Sequence, residues 1–417
     1  MNPWMHPVGM PAMPTQPTFQ ELQALAPHAG PGSELYRLVE DQMGRIANFT
    51  FFSMPNPAQP NVPLMQGQDL IGVEVHEALH RMDIVQRATP SAIEVHKVIG
   101  EPTAQVHMTW RPIPDDLVAT PDGHIPPTPF DPTRPQRFTM KDGTLSFEDS
   151  QGSGIHGFGT GSTYPVRVAG KTQVRLAAII DVVSGFGQLA GHQGMLIVNG
   201  HIEPPTELAL NITLRLTDPS GQFLPNQPIP PVHSSGHTDP DDVYMLFHAE
   251  SDPHDPVQLR IDPSGRMLGA RGPQRMRLAH VAYTVEGPDG IRTVTTLGDG
   301  VGHMDAMAHF DPFTGSPPHP FTTTDGVFTF HTADGRPLGT LDANMQEGRA
   351  LPTHFPGAPL PVYRVGGIAP VTRGTGIFEN VVGLFTVDSF ISLVPNVISG
   401  IFVLHISDPS GRLRSAL

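Results

Sequence analysis

The same ordered set of turn signals occurs twice in this chain, about 190 residues apart, and that constrains its fold more than any other feature. FTMKDGTLSF (138–147) matches FTTTDGVFTF (321–330), VSGFGQLAGHQG (183–194) matches TRGTGIFENVVG (372–383), and TDPSG (217–221) matches SDPSG (407–411). A period this long describes two copies of one domain, because solenoid repeats recur every 20–50 residues. The shared residues are glycines and Asx turns, which only certain backbone conformations demand.

Between these turns the hydrophobic period is two. In ELALNITLRLTDPSG, Leu208, Leu210, Ile212, Leu214 and Leu216 fall on one face and Glu207, Asn211, Thr213 and Arg215 on the other. ISGIFVLHISDPSG repeats the pattern with Ile398, Phe402, Leu404 and Ile406. Such alternation ending in Asp-Pro-Ser-Gly reads as a strand followed by a turn. The 43 glycines and 47 prolines, against only 16% charged residues, suit an all-β fold. Seven or eight short strands per copy predict two tandem antiparallel β-barrels, with a β-sandwich as the competing arrangement. The expected boundaries are a partly helical N-terminal extension over 1–65, with a helix near 33–47, then a first barrel over 66–225. A Pro-rich linker over 226–239 and a second barrel over 240–417 complete the chain.

Composition also limits function. A formal net charge of −15, with no basic run, excludes a nucleic-acid or anionic-membrane partner. The absence of cysteine excludes disulfides, thiolate metal sites and a thiol nucleophile. No signal peptide is visible and no apolar run reaches the length of a membrane span, so a soluble cytoplasmic protein is expected. Homo-oligomerisation is left open.

GTGIFENVVG (374–383), a strand entering a glycine turn with a further Gly, resembles the allene oxide cyclase and dirigent families of calycin-type barrels. SGFGQLAGHQG (184–194) and GSGIHGFGTGSTYP (152–165) are looser versions in the first copy. The resemblance lies in turn glycines and covers about a quarter of each copy. It implies an eight-stranded barrel with an apolar pocket that steers cyclisation or coupling of a reactive hydrophobic intermediate. The function this suggests is a cyclase or isomerase acting on an apolar small molecule without an organic cofactor.

Several residues could carry such chemistry. Asp181 stands among apolar neighbours in AAIIDVVSGFG, and a buried carboxyl titrates upward unless partnered, as a general acid requires. Read as a strand, VGHMDAMAHFDP (301–312) puts His303, Asp305 and His309 on one face, available for proton transfer. These four are the catalytic candidates. Phe158, Tyr164, Phe186, Phe385 and Asp388 are the substrate-binding candidates, with plain core as the bland alternative for the aromatic ones.

VHEALH (75–80) raises a different possibility. His76-Glu77-Ala78-Leu79-His80 matches the H-E-x-x-H pattern of zinc peptidases, with no obvious third ligand, although Glu101 stands at a tolerable distance. That chemistry requires a helix, which sets both histidines on one face. On a strand, Glu77 points away from His76 and His80 and the mechanism fails. The strand reading is the expectation, with no metal bound, and zinc hydrolysis through His76 and His80 is the alternative. A non-catalytic barrel that holds a hydrophobic ligand is the remaining one.

Overall fold

The computed structural model describes residues 19–43, 45–56, 58–86, 93–97, 104–114, 126–149, 151–168, 171–203, 207–218, 242–251, 258–262, 267–282, 296–308, 317–331, 334–353, 355, 360–408 and 410–413. Two short helices, α1 (Phe19–Leu25) and α2 (Glu34–Met43), precede an otherwise all-β chain. Ser33 caps α2, its Oγ accepting the Tyr36 N–H at 3.1 Å.

Ten strands form the first sheet: β1 (Ile46–Pro55), β2 (Val62–Gln66), β3 (Asp69–Gln86), β4 (Ile93–Lys97), β5 (Ala104–Pro112), β6 (Gln136–Phe147), β7 (Gly154–Val168), β8 (Lys171–Phe186), β9 (Gly194–Glu203) and β10 (Glu207–Thr217). The antiparallel order runs β1-β10-β9-β8-β7-β6-β5-β3. Because β1 also pairs with β3, from Thr50↔Met82 to Pro55↔Glu77, the ladder returns on itself as a circuit of eight strands. Closure removes the open edges that would invite aggregation.

The second sheet contains β11 (Asp242–Ser251), β12 (Gln258–Ile261), β13 (Met267–Ala282), β14 (Thr296–Ala308), β15 (His319–Phe321), β16 (Thr323–His331), β17 (Pro337–Ala343), β18 (Glu347–Thr353), β19 (Val362–Gly374), β20 (Val382–Leu393) and β21 (Asn396–Ser407). Its circuit β11-β21-β20-β19-β17-β16-β14-β13 closes through the β19–β20 and β11–β13 pairings. Strand for strand this is the order of the first circuit, with β15 and β18 hung on β19.

The repeated turns have repeated backbones. Asp142 and Asp325 take φ of 53° and 56°, and Gly187 and Gly376 take 62° and 64°. Each of those glycines opens a one-turn 3-10 helix, Gly187–Leu189 and Gly376–Phe378, whose last residue is buried.

Inside each circuit the alternating residues form a core. Leu208, Leu210, Ile212, Leu214 and Leu216 of β10 face the first, together with Val73, Val75, Met108, Trp110 and Phe138. The second is rich in aromatic side chains, among them Phe328, Phe330, Phe385 and Phe402.

One expectation is corrected. Residues 46–65 belong to the first sheet rather than to an extension, so the first barrel begins at Ile46. The alternation of β1 is hidden in sequence because Ser53 interrupts the Phe49–Phe51 face, and because Ile46 also continues the apolar stripe of α2. The helices themselves pack on the second barrel: Leu22 joins its core, and Tyr36 and Val39 meet Val397.

The polar faces of β10 and β21 are a further surprise. They are not solvated, because the two barrels pack face to face through β8–β10 and β18–β21. Ala177, Ile179, Met195 and Ile197 of one meet Leu351, Ile368 and Leu384 of the other.

Candidate functional site

The strongest polar constellation lies in that interface. Asp181, on β8, is buried, and its Oδ2 accepts from Arg349 Nη1 at 2.8 Å, while Arg349 Nη2 donates to Thr160 Oγ1 at 2.9 Å. Asp388, on β20, accepts from Thr213 Oγ1 at 3.1 Å. Burial pushes its carboxyl up to about 8, although Arg215 and Arg364 oppose the shift. Arg215 is fully enclosed: Nε reaches Asn48 Oδ1 at 2.7 Å, and Nη1 reaches the carbonyls of Asp388 at 3.0 Å and Ser399 at 2.5 Å. Arg175 bonds His405 and Ser407, and Arg364 bonds the Gly194 carbonyl.

These contacts obey a pseudo-twofold relation. Aligning the repeated turns makes Asn199 the counterpart of Asp388, and Arg175 the counterpart of Arg364. Asn199 Nδ2 reaches the Val403 carbonyl at 3.2 Å, and Asp388 reaches Thr213, the counterpart of Val403. Asp181 therefore has no acidic equivalent in the second copy. Both carboxyls are buried as the sequence suggests, but they are buried by the other barrel on the outer faces of the sheets, away from either interior.

The other candidates are dispersed. Phe385 is core of the second barrel, 4.5 Å from Phe328 and 5.5 Å from Phe402 between ring centroids. Phe158 is half-buried on β7, opposite Asp181 in register. Phe186 is half-buried with its ring 4.9 Å from His156. His303 and Asp305 lie in β14, paired with Thr329 and Val327, and their side chains lie outside the described residues, as does His309 altogether.

HEALH lies in β3, so the helix that a zinc peptidase requires is absent there. Its residues split between the faces. Glu77 is fully buried on the inward face with Val73, Val75 and Leu79, its Oε1 accepting from Asn61 Nδ2 at 2.7 Å. Burial raises its carboxyl to about 7, against hydrogen bonds from Asn61 and Ser53. His76 faces outward, where Glu74 and His107 meet it. The side chain of His80 lies outside the described residues.

Two cavities bear on ligand binding. A space of about 10 Å³ lies inside the first barrel, lined by Val73, Val75, Met108, Trp110, Met140, Thr163 and neighbouring aliphatic residues. That space holds no more than a water molecule. A cleft of about 670 Å³ opens instead between the barrels, lined from one side by Gln136, Arg137, Ser162 and Tyr164, and from the other by Phe321, Gln346 and Glu347. This lies within the range of small-molecule sites.

Strand register builds the cleft. Gln136 and Arg137 start β6 and pair with Thr163 and Ser162 of β7, while Phe321 of β15 pairs with Gly348 of β18. Ser162 Oγ donates to Glu347 Oε2 at 2.9 Å across the gap, leaving the buried Glu347 Oε1 without a hydrogen-bond partner. Burial raises the Tyr164 phenol to about 12, so it stays protonated and remains a donor at neutral pH.

Of the substrate and catalytic candidates whose side chains are described, only Tyr164 reaches this cleft. Glu347 escaped sequence reasoning because it comes from a short strand outside the repeated turns, and Phe321 because it only opens the repeated FTTTDGVFTF without a mark of its own. Glu347 in MQEGRALPT carries no signal beyond being a charge beside a glycine. Comparison with protein-family models, with curated proteins and with solved structures finds no match for this chain.

Proposed function

We propose that the chain is a small-molecule-binding protein whose ligand occupies the cleft between its two barrels. The supporting observation is the conjunction, in about 670 Å³, of a half-buried Tyr164 ring with the polar side chains of Arg137, Gln346 and Glu347. A concave space with an aromatic wall and a few convergent polar groups has the usual form of a small-molecule site. The ligand this predicts is amphipathic. An aromatic or aliphatic body lies against Tyr164 and Phe321, and an amine or hydroxyl donates to Glu347. Arg137, exposed at the rim, favours a second, acceptor end.

Binding, rather than cyclisation, is the reading we favour. The interior space of the first barrel is lined almost wholly by apolar side chains, with Thr163 as the polar exception. Neither Asp181 nor Asp388 reaches it.

Saturation-transfer NMR with a library of small aromatic amines and alcohols tests the proposal on the full chain. Hits should lose their signal in both Tyr164→Ala and Glu347→Gln. Hits that persist unchanged in both variants would place binding elsewhere, and a library without hits would remove the proposal.

A further inference from the structure

We propose that Glu74, His76 and His107 form a binding site for a late first-row divalent cation, zinc above all, on the outer face of the first barrel. The site rests on strand register rather than on the H-E-x-x-H pattern. Glu74 and His76 stand two residues apart on β3, and therefore share a face. His107 lies on β5 directly opposite His76 in the β3–β5 ladder. The alternation of β5 buries Val106 and Met108 on either side of it, which turns His107 to the same outer face.

The distances suit a metal. Glu74 Oε1 is 3.3 Å from His76 Nε2 and 3.2 Å from His107 Nε2. Two ligands bonded to zinc at about 2.0–2.1 Å with a tetrahedral angle stand about 3.3 Å apart. One donor atom from each of the three residues lies within 4.8 Å of the others, and the two imidazoles stack with centroids 4.6 Å apart. A cation entering between them thus requires small side-chain adjustments and no backbone movement.

The surroundings hold the ligands in place. The backbone N–H of His76 donates to Asn61 Oδ1 at 2.7 Å, and the same Asn61 anchors the buried Glu77 on the other face. Asn61 thus fixes the β3 segment that carries two of the three ligands. Two neutral imidazoles and one carboxylate select zinc, cobalt, nickel or copper over magnesium or calcium, which prefer all-oxygen sites. Three protein ligands leave a fourth position for water or for a partner's side chain. Their side chains are 19–43% exposed, so the cation is reachable from solvent.

The experiment is a competitive titration of zinc against a chromophoric chelator, using the full chain, with His76→Asn, His107→Asn and Glu74→Gln. Wild type should bind about one equivalent tightly. Each variant should weaken that equivalent by at least about 10–100-fold, the loss that even removal of an outer-shell partner produces. His156→Asn, on the same outer face but bonded to Thr144 instead, should leave it unchanged. Zinc should raise the unfolding temperature of wild type and not of His107→Asn. Circular dichroism confirms that each variant folds, which exposed sites permit. The proposal is overturned if wild type takes up no zinc, in which case Glu74 merely bridges two imidazoles. It is equally overturned if His80→Asn abolishes binding while His107→Asn does not.

Discussion

Arg349 Nη1 of the second barrel lies 2.8 Å from Asp181 Oδ2 of the first, with both side chains nearly excluded from water. Removing one member of a buried pair strands the other, at a cost of about 3–5 kcal/mol. Arg349→Ala should therefore lower chemical-denaturation stability by about that amount, and Asp181→Asn, which keeps an acceptor for Arg349, by less. Little loss of stability in either variant would contradict this structural pairing.

The pH dependence of stability should run opposite to the usual carboxylate case. Glu77 and Asp388 are raised in the folded protein from ordinary values near 4 to about 7 and about 8. The folded state therefore binds protons that the unfolded chain has already released. Their contribution is complete below about pH 4 and is lost as pH rises through 7 and 8. Thermal unfolding followed from pH 5 to pH 8.5 should show a falling midpoint. Asp388→Asn should flatten the fall and raise the midpoint at pH 8.5, by about 2–4 °C for each kcal/mol recovered. An unchanged slope in both Asp388→Asn and Glu77→Gln would contradict the assignment.

The paired turn glycines should differ in tolerance. A Cβ at Gly376 would stand 2.2 Å from the Leu338 carbonyl oxygen, whereas at Gly187 the nearest atoms are the Ser153 hydroxyl at 2.6 Å and the Ser153 Cα at 2.7 Å, a looser approach. Both also hold a positive φ that alanine resists. Gly376→Ala should cost more than Gly187→Ala, each by at least about 1 kcal/mol. Equal losses in urea denaturation would show that φ alone matters.

Much of this architecture can be read from residues, and the reasons it stops are physical. Alternation in β10 identified the inward leucines because a period of two admits only two faces. It could not reveal that Asn211, Thr213 and Arg215 on the other face are buried too, since a surface covered by another domain has the polarity of an ordinary one until its partners are known. Asp181 and Asp388 stood out as carboxyls in apolar strands, yet the sequence holds no sign of which side would cover them. Glu74 and His76 were visible as neighbours on a strand, but His107 joins them only through the β3–β5 register, which pairs residues far apart in sequence. Glu77, in contrast, behaves as the strand reading requires, on the face away from His76.

The pseudo-twofold interface has a consequence for how such a protein can change. Two separate copies of a single barrel meeting through these strands would carry identical faces, so one substitution would appear twice. Joining the copies in one chain holds the second barrel at an effective concentration that a free partner rarely reaches. It also lets each side mutate alone. Asn199 against Asp388, and Arg215 against His405, are places where the two halves have used that freedom. Such an interface has room for two unlike halves, and with it a lopsided cleft that a symmetric pair could not offer.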